Sequence, residues 1–225
     1  MAETSINFKN LRGVRKLMLA TLTTDNDTTL TYDTPIRFAG VREVGGEAEE
    51  SSATEYYDNQ ASIVTTAEGA DTYTLTTSVL DDVVRAKIEG RKADEETGAY
   101  FATPLKRPYV ALGFVAEDTD GQEWYYWIYK GKLTGGKESH QTKDDGTETT
   151  NLEWELSSIY TQHRFTSANN EPMKYYKLKA GGSVTEEAFF SKVYNPDTAS
   201  VPTSLNLENE VKVTENEKAV SGGKQ

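Results

Sequence analysis

The 225-residue sequence comes nearest to a catalytic motif in a glycine-rich stretch that runs from Gly131 to Glu138. Gly131, Gly136 and Lys137 have the spacing of a phosphate-binding loop, but Glu138 replaces the Ser or Thr that would ligate magnesium. Such a loop also needs a helix N-terminus directly after the lysine, and the polar residues that follow Glu138 do not predict a helix. We therefore interpret the stretch as a glycine-rich turn.

Residues that could ligate a metal are few and scattered. Asp118 and Asp120 faintly resemble a calcium loop, but Ala116 occupies the first ligand position, and a hairpin turn explains the pair. The only imidazoles are those of His140 and His163, and the chain has no cysteine, so a zinc site would need carboxylates from distant segments. The sequence predicts no metal and no cofactor.

Nucleophilic and acid–base catalysis find equally little support. A catalytic triad would have to recruit one of the two histidines, and no G-x-S-x-G elbow is present. The chain has 36 Asp and Glu residues, so no single pair of carboxylates stands out as a glycosidase site. We therefore predict that the protein is not an enzyme.

The most informative stretch is a pair of aromatic-rich strands predicted on either side of a turn at residues 118–121. Alternation places Trp124 and Tyr126 on one face of the second strand and Trp127 on the other. A strand that is apolar on both faces must be covered on both, either within its own domain or by a neighbouring subunit. We expect the core aromatic residues to be Trp124, Tyr126, Trp127 and Trp154.

Composition limits the class of protein. Apolar residues make up 36% of the chain and aromatic residues 10%, while the formal net charge is −12. Such a chain folds around a core but carries large polar loops or arms, and its acidity argues against binding the phosphate backbone of nucleic acids. Neither a signal peptide nor an 18-residue apolar run is present, so we expect no membrane insertion. The absence of cysteine fits synthesis in a reducing cytoplasm.

Periodicity and turn signals predict a mainly β protein. Strands are expected at residues 14–23, 72–79 and 151–157, in addition to the aromatic pair. In the segment 151–157, Leu and Trp alternate with Asn and Glu, which indicates one buried and one wet face. Residues 29–44 look like extended chain that Pro35 interrupts, as at a sheet edge or a bend.

One principal helix is predicted from Leu80 to Glu89. Ser78 and Asp81 resemble a capping box before it, and Gly90 occupies the position of a C-terminal cap. We expect this helix to flank the sheet.

The signals become weaker after residue 165. Residues 173–178 are interpreted as a short strand, and residues 184–194 as one or two helical turns that Thr185 begins. From Asn195 onward we expect an extended arm with at most a weak strand at residues 205–213.

Charge is unevenly distributed along the chain. Residues 43–58 contain six carboxylates and no Lys or Arg, which predicts a mobile, solvated loop. Basic residues cluster instead at residues 9–16 and 85–107. This segregation would allow head-to-tail contact between copies of the chain, although each cluster alone is also typical of a solvated surface.

Several sequence features occur together in an order that resembles a known family. They are GVRKLMLA from Gly13, TYDTP from Thr31, an acidic segment that ends in TEYYD at Asp58, PYVALGF from Pro108 and WIYKGK from Trp127. Residues 11–165 resemble the major tail protein, or tail tube protein, of phages with long non-contractile tails that infect Gram-positive bacteria.

The resemblance implies a β-sandwich or barrel-like subunit with one flanking helix and long arms. The tail tube domain would comprise residues 1–165, followed by a C-terminal extension at 166–225. Subunits would form six-membered rings stacked as a tube, through which DNA leaves the capsid without specific binding. The partners would be the chain itself, the tape measure protein and other tail proteins. The protein would be made in the host cytoplasm and located in the virion tail.

The resemblance also implies roles for particular residues. Residues 43–58 would form a loop that reaches the adjacent ring, and residues 35–44 and 60–66 would be its strand stems in the tube wall. The expected loop residues are Glu47, Glu49, Glu50, Glu55, Tyr56, Tyr57 and Asp58. The expected wall residues are Ile36, Phe38, Val41, Ile63 and Val64. An acidic inner wall would repel phosphate and so let DNA slide past.

Two other functions remain open from the sequence. Trp124, Tyr125 and Trp127 could form a platform on which sugars stack, as in a carbohydrate-binding β-sandwich. A virion decoration protein would share the acidic composition.

Overall fold

The computed structural model describes residues 11–94, 96–137 and 151–197. The predicted mainly β fold is confirmed, with antiparallel strands throughout and two short α-helices. The strands are β1 Leu11–Asp25, β2 Leu30–Tyr32, β3 Ile36–Arg37, β4 Val41–Glu47, β5 Glu50–Tyr57, β6 Gln60–Glu68, β7 Asp71–Thr77, β8 Lys92–Ala93, β9 Tyr100–Phe101, β10 Val110–Asp118, β11 Glu123–Gly135, β12 Leu152–Ser158 and β13 Tyr175–Lys179. The α-helices are α1 Asp82–Glu89 and α2 Glu186–Phe190.

One sheet organises the domain, in the order β2-β1-β10-β11-β12-β7-β4. The long strand β11 changes partner along its length, because its first half pairs with β13 and its last residues pair with β12. The sheet curves until β4 lies near β1 again. Phe38, in the link between β3 and β4, donates its backbone N–H to Leu17 O at 3.0 Å. The result is a barrel-like sheet that closes at one end of its β1–β4 seam.

The main core lies inside the curved sheet. Leu19, Leu112 and Leu156 come from β1, β10 and β12, and each is at most 1% exposed. Trp154 packs edge-on against Phe38, with ring centroids 5.8 Å apart. Burial of each such side chain stabilises the fold by about 1.5–3 kcal/mol. The alternation predicted for residues 151–157 is therefore confirmed.

A second core lies on the opposite face of β10 and β11. Trp127 and Tyr129 are fully buried there, beneath α2 and the residues around it. The indole Nε1 of Trp127 donates to Phe189 O, and the hydroxyl of Tyr129 donates to Tyr194 O, both at 3.0 Å. Both faces of the aromatic strand are thus covered from within the chain.

The predicted division after residue 165 stays a prediction, but residues on the two sides of it pack together in the structure. β13 hydrogen-bonds to β11, while Phe165, Phe189 and Phe190 lie in the same core as Trp127. Residues 163–197, which we call the C-terminal layer, are an integral part of the domain. The predicted strand at 205–213 and the rest of the arm lie outside the described residues.

The predicted core aromatics differ in burial. Trp127 and Trp154 are buried, as expected. Tyr126 is half-buried and stacks on Phe114, with ring centroids 4.7 Å apart. Trp124 belongs to neither core, because it sits near the strand end, where the ammonium of Lys177 lies 4.3 Å from its ring centroid.

The principal helix begins slightly later than predicted. Asp81, rather than Ser78, is the N-cap, and its carboxylate accepts a hydrogen bond from Val83 N at 2.9 Å. The hydroxyl of Ser78 instead accepts a hydrogen bond at 3.1 Å from the backbone N–H of Gly40, the residue that precedes β4. Gly90 ends the helix with φ of 64°, as its position predicted. Thr185 caps α2, also as predicted.

Truncation of Phe189 tests the C-terminal layer. We expect Phe189→Ala to lower the free energy of unfolding by about 3–5 kcal/mol, because a fully buried ring leaves a cavity. Urea denaturation measures the change. Phe101→Ala, at a residue that is 46% exposed, is the matched control and should change stability little. Equal, small effects of both substitutions would show that the layer is a detachable arm.

Candidate assembly surfaces

Strands β5 and β6 form a hairpin that stands apart from the main sheet. Every residue of both strands is exposed, and the two strands pair only with each other. Asp58 and Asn59 form the two-residue turn, with φ of 51° and 63°, which is the conformation of a type I′ turn. The predicted loop at residues 43–58 is therefore corrected, because the structure has the strands β4 and β5 there.

The hairpin does not have one apolar and one polar face, because apolar side chains lie on both. Ile63 pairs with Glu55 and Val64 pairs with Thr54, so successive pairs place an apolar side chain on opposite faces. The exposed fractions are 48% for Ile63, 64% for Val64, 69% for Tyr56 and 55% for Tyr57. A two-stranded hairpin without a covered face is marginally stable in water. The described part of the domain leaves every residue of the two strands exposed.

A cluster at the base of the hairpin fixes its two strands to the domain. Gly69 N donates to Glu49 O at 2.7 Å, which brings the two ends of the hairpin together. The ammonium of Lys174 donates to Gly69 O at 2.9 Å and to the Asp71 carboxylate at 2.7 Å. Tyr160 donates its hydroxyl to Glu68, and this hydrogen bond raises the pKa of Tyr160 to about 12. The hairpin therefore leaves the domain in a defined direction.

The remaining predicted assembly residues divide into two groups. The loop carboxylates Glu47, Glu49, Glu50, Glu55 and Asp58 are all exposed. In the predicted wall strands, Phe38 is 2% exposed and contacts Trp154, so it cannot face a neighbouring subunit. Ile36 and Val41 are half-buried against the main core. Ile63 and Val64 are available for contact.

The outer face of β4, β7 and β12 is polar and acidic. Glu43, Thr76 and Glu153 lie in one row across the three strands. Gly45, Thr74 and Glu155 form the next row. Carboxylates and short hydroxyl side chains make a surface that stays hydrated and repels anions. We call it the acidic face.

An ion-pair network holds the C-terminal layer against β1 on the other side of the domain. The guanidinium of Arg15 contacts Glu123 at 2.7 Å and Glu186 at 2.6 Å, and the ammonium of Lys16 contacts Glu186 at 2.8 Å. These hydrogen bonds, that of Arg15 foremost, lower the pKa of Glu186 to about 2. Arg15 and Lys16 from the predicted basic cluster are thus paired within the chain, which leaves them less able to contact another copy.

The motifs that superficially indicated chemistry are structural. Gly131 to Gly135 lie within β11, so they form no phosphate-binding loop. Asp118 accepts hydrogen bonds from Asp120 N and Gln122 N, as a hairpin turn requires. His163 packs edge-on against Phe165, with ring centroids 4.7 Å apart, whereas His140 lies outside the described residues.

The described residues contain no group of three or more His, Asp or Glu side chains that could hold a metal ion. No helix among them is long and apolar enough to cross a membrane. The predicted sugar platform is also absent from the surface, because Tyr125 and Trp127 are buried.

Comparison with known families decides the class of protein. The sequence model of the phage tail tube protein family matches residues 46–199, which is more than half of the chain. The chain belongs to the phage tail tube protein family. The match includes the hairpin and runs through the C-terminal layer, where the sequence alone suggested no relationship. This tail tube protein is therefore a structural component of a phage tail and not an enzyme.

Other comparisons add little to the family match. No curated protein matches the chain. A solved structure, the cap that terminates the tube of the anti-feeding prophage, is 14% identical over 80% of this chain and 100% of its own, with a TM-score of 0.34. The predicted Gram-positive host and long non-contractile tail remain predictions.

Acid should loosen the C-terminal layer through Glu186. A carboxyl whose pKa falls from 4.5 to about 2 on folding contributes stability above pH 4.5, and this contribution disappears as the pH falls toward 2. Since solvent reaches 25% of the side chain, we expect about 1–2 kcal/mol. Urea denaturation should show Glu186→Gln less stable than wild type at pH 6, with a smaller difference at pH 3. Glu187→Gln is the exposed control, and a pH-independent difference would contradict the prediction.

Proposed function

We propose that this protein polymerises into the tail tube, as rings of six subunits that stack around a channel for DNA. The observation that carries the proposal is the uncovered β5–β6 hairpin, which is held firmly at its base and exposes Tyr56, Ile63 and Val64. A monomer gains nothing from presenting these side chains to water, whereas a neighbouring subunit would bury them. Family membership supplies the setting in which that neighbour is another tail subunit.

The hairpin accounts for stacking between rings. It projects as a single arm, and a heterologous contact between an arm and a different surface of the next copy repeats without closing. Stacked rings extend in this way, while closed contacts around each ring fix the number of subunits. The tape measure protein and other tail proteins would be further partners of the assembled tube.

The two sides of the domain differ in thickness and polarity, and this difference suggests which side lines the channel. The C-terminal layer adds thickness to the face of β10 and β11, whereas the acidic face is bare and has no large apolar side chain in its Glu43 and Gly45 rows. Only a thin, wet, anionic wall suits a narrow channel that DNA must pass without sticking. We therefore assign Glu43, Glu153 and Glu155 to the channel and the C-terminal layer to the outside of the tube.

Excision of the hairpin tests assembly separately from folding. Because Gly69 N already contacts Glu49 O, residues 50–68 can be replaced by a short Gly-Ser turn without moving β4 or β7. Negative-stain microscopy of the purified wild-type protein should show rings or tubes. The excised variant should show no stacked tubes, while its urea midpoint stays close to that of wild type.

A double substitution distinguishes the contribution of the apolar side chains to assembly from that of the hairpin backbone. Ile63→Ser with Val64→Ser should shorten the tubes or prevent them, because it removes the apolar contacts and keeps the hairpin turn. Val79→Ser, at a valine that is 57% exposed outside the hairpin, is the matched control. Tubes of normal length from the excised variant, or a wild-type protein that stays monomeric at high concentration, would refute the proposal.

Charge reversal tests the assignment of the channel. Tubes of a variant with Glu43→Lys, Glu153→Lys and Glu155→Lys, assembled with short duplex DNA, should retain DNA that resists nuclease and that salt releases. Wild-type tubes should retain none. Glu96→Lys, Glu171→Lys and Glu187→Lys give the same change of charge elsewhere on the surface, and DNA bound to that variant should be sensitive to nuclease. Protected DNA in the second variant instead of the first would reverse the assignment.

A further inference from the structure

An apolar cleft separates the edges of β1 and β4, where the barrel-like sheet does not close. Among the described residues, no strand hydrogen-bonds to the outer edge of β4, nor to the edge of β1 that faces it before Met18. Gly13 and Val14 line one side of the cleft, and residues 42–46 line the other. Its volume is about 470 Å³. Two unpaired strand edges that face each other are a template for an added strand.

The floor of the cleft is the main core itself. Phe114 and Tyr126 stack there, and Tyr73 and Ala116 complete the floor. Only the cleft separates these side chains from solvent. An inserted strand would need apolar side chains on the face that points inward and polar side chains on the other.

The chain carries such a segment beyond the described residues. In the sequence from Leu205 to Val213, LNLENEVKV, alternate positions are Leu, Leu, Asn, Val and Val, and the positions between them are Asn, Glu, Glu and Lys. This is the period of a strand with one apolar and one polar face, interrupted only at Asn209. Its β-branched and leucine side chains match the apolar floor.

Linker length and charge are compatible with this segment. Seven residues separate Asp197 from Leu205, and in extended conformation they would span up to about 23 Å. The rim of the cleft carries Arg12, Arg42 and Glu43, and Arg12 is paired with Glu117 at 2.8 Å. Arg42 has no ion pair among the described residues, so it would be available to Glu208 or Glu210 on the polar face of the strand.

We propose that residues 205–213 add as a strand in the β1–β4 cleft and so complete the sheet over the main core. The strand comes from the same copy or from a neighbouring one, and the occupant is in either case this segment of this chain. The proposal does not depend on the six-membered ring. It gives the last residues of the chain a binding role and explains why the seam of the sheet is left open.

Disulfide trapping tests the proposal in the full-length chain, which contains no cysteine of its own. Val44→Cys and Leu207→Cys place one thiol on β4 and one on the segment, and a disulfide forms only if their Cα atoms come within about 7 Å. We expect at least tenfold more cross-link under mild oxidation than with Val79→Cys and Leu207→Cys. On a non-reducing gel a faster monomer band identifies the same copy as donor, and dimers or ladders identify a neighbour.

The hairpin is the rival occupant. The pair Val44→Cys and Val64→Cys measures whether β6 of another copy enters the cleft instead. More cross-linking through Val64 than through Leu207 would overturn the proposal, as would equal cross-linking of Leu207 with Val44 and with Val79.

Hydrogen exchange provides a second measurement that needs no cysteine. Leu207→Lys with Val211→Lys keeps the chain length but disfavours burial of the segment. We expect amides at residues 41–47 to exchange at least tenfold faster in this variant, while those of β12 exchange at the wild-type rate. Unchanged exchange at 41–47 would overturn the proposal, and faster exchange throughout the domain would show that the segment acts on global stability and not at the cleft.

Discussion

The structure depends on the need to cover both faces of one aromatic strand. β11 carries large side chains on each side, and an uncovered face would expose Trp127 and Tyr129 or open the main core. The sheet curves to cover one face, and the C-terminal layer covers the other. Strand β13 and helix α2 are therefore required by the composition of a strand that ends forty residues before β13 begins. The curved sheet and the C-terminal layer each cover one apolar face of β11.

The domain satisfies this requirement internally, and what remains uncovered marks the surfaces for other molecules. The hairpin and the β1–β4 cleft both expose apolar groups next to unpaired backbone. The acidic face exposes none in its two central rows. These two incomplete surfaces and one anionic surface are what the proposed tube would need: two places for contact between subunits and one side to which DNA does not adhere.

The sequence predicted elements wherever local signals were strong. Alternation located β12 and β11, Gly90 located the end of α1, and Thr185 located the start of α2. β5 was missed because its carboxylates indicated solvation, although the Asp58-Asn59 pair permitted a type I′ turn. The cluster of Lys174, Asp71 and Tyr160 could not be predicted, since residues from remote segments meet only in the folded sheet. The covering role of residues 163–197 was missed for the same reason.

The contact between Glu49 and Gly69 has a consequence for how such subunits diversify. It makes the intervening nineteen residues an insertion whose two ends already meet, so the domain can fold largely independently of that insertion. Under the proposed function, substitutions in the insertion would alter the contact between copies at little cost to the stability of the domain. A lineage could then change that contact, or replace the insertion entirely, while the domain stayed as it was.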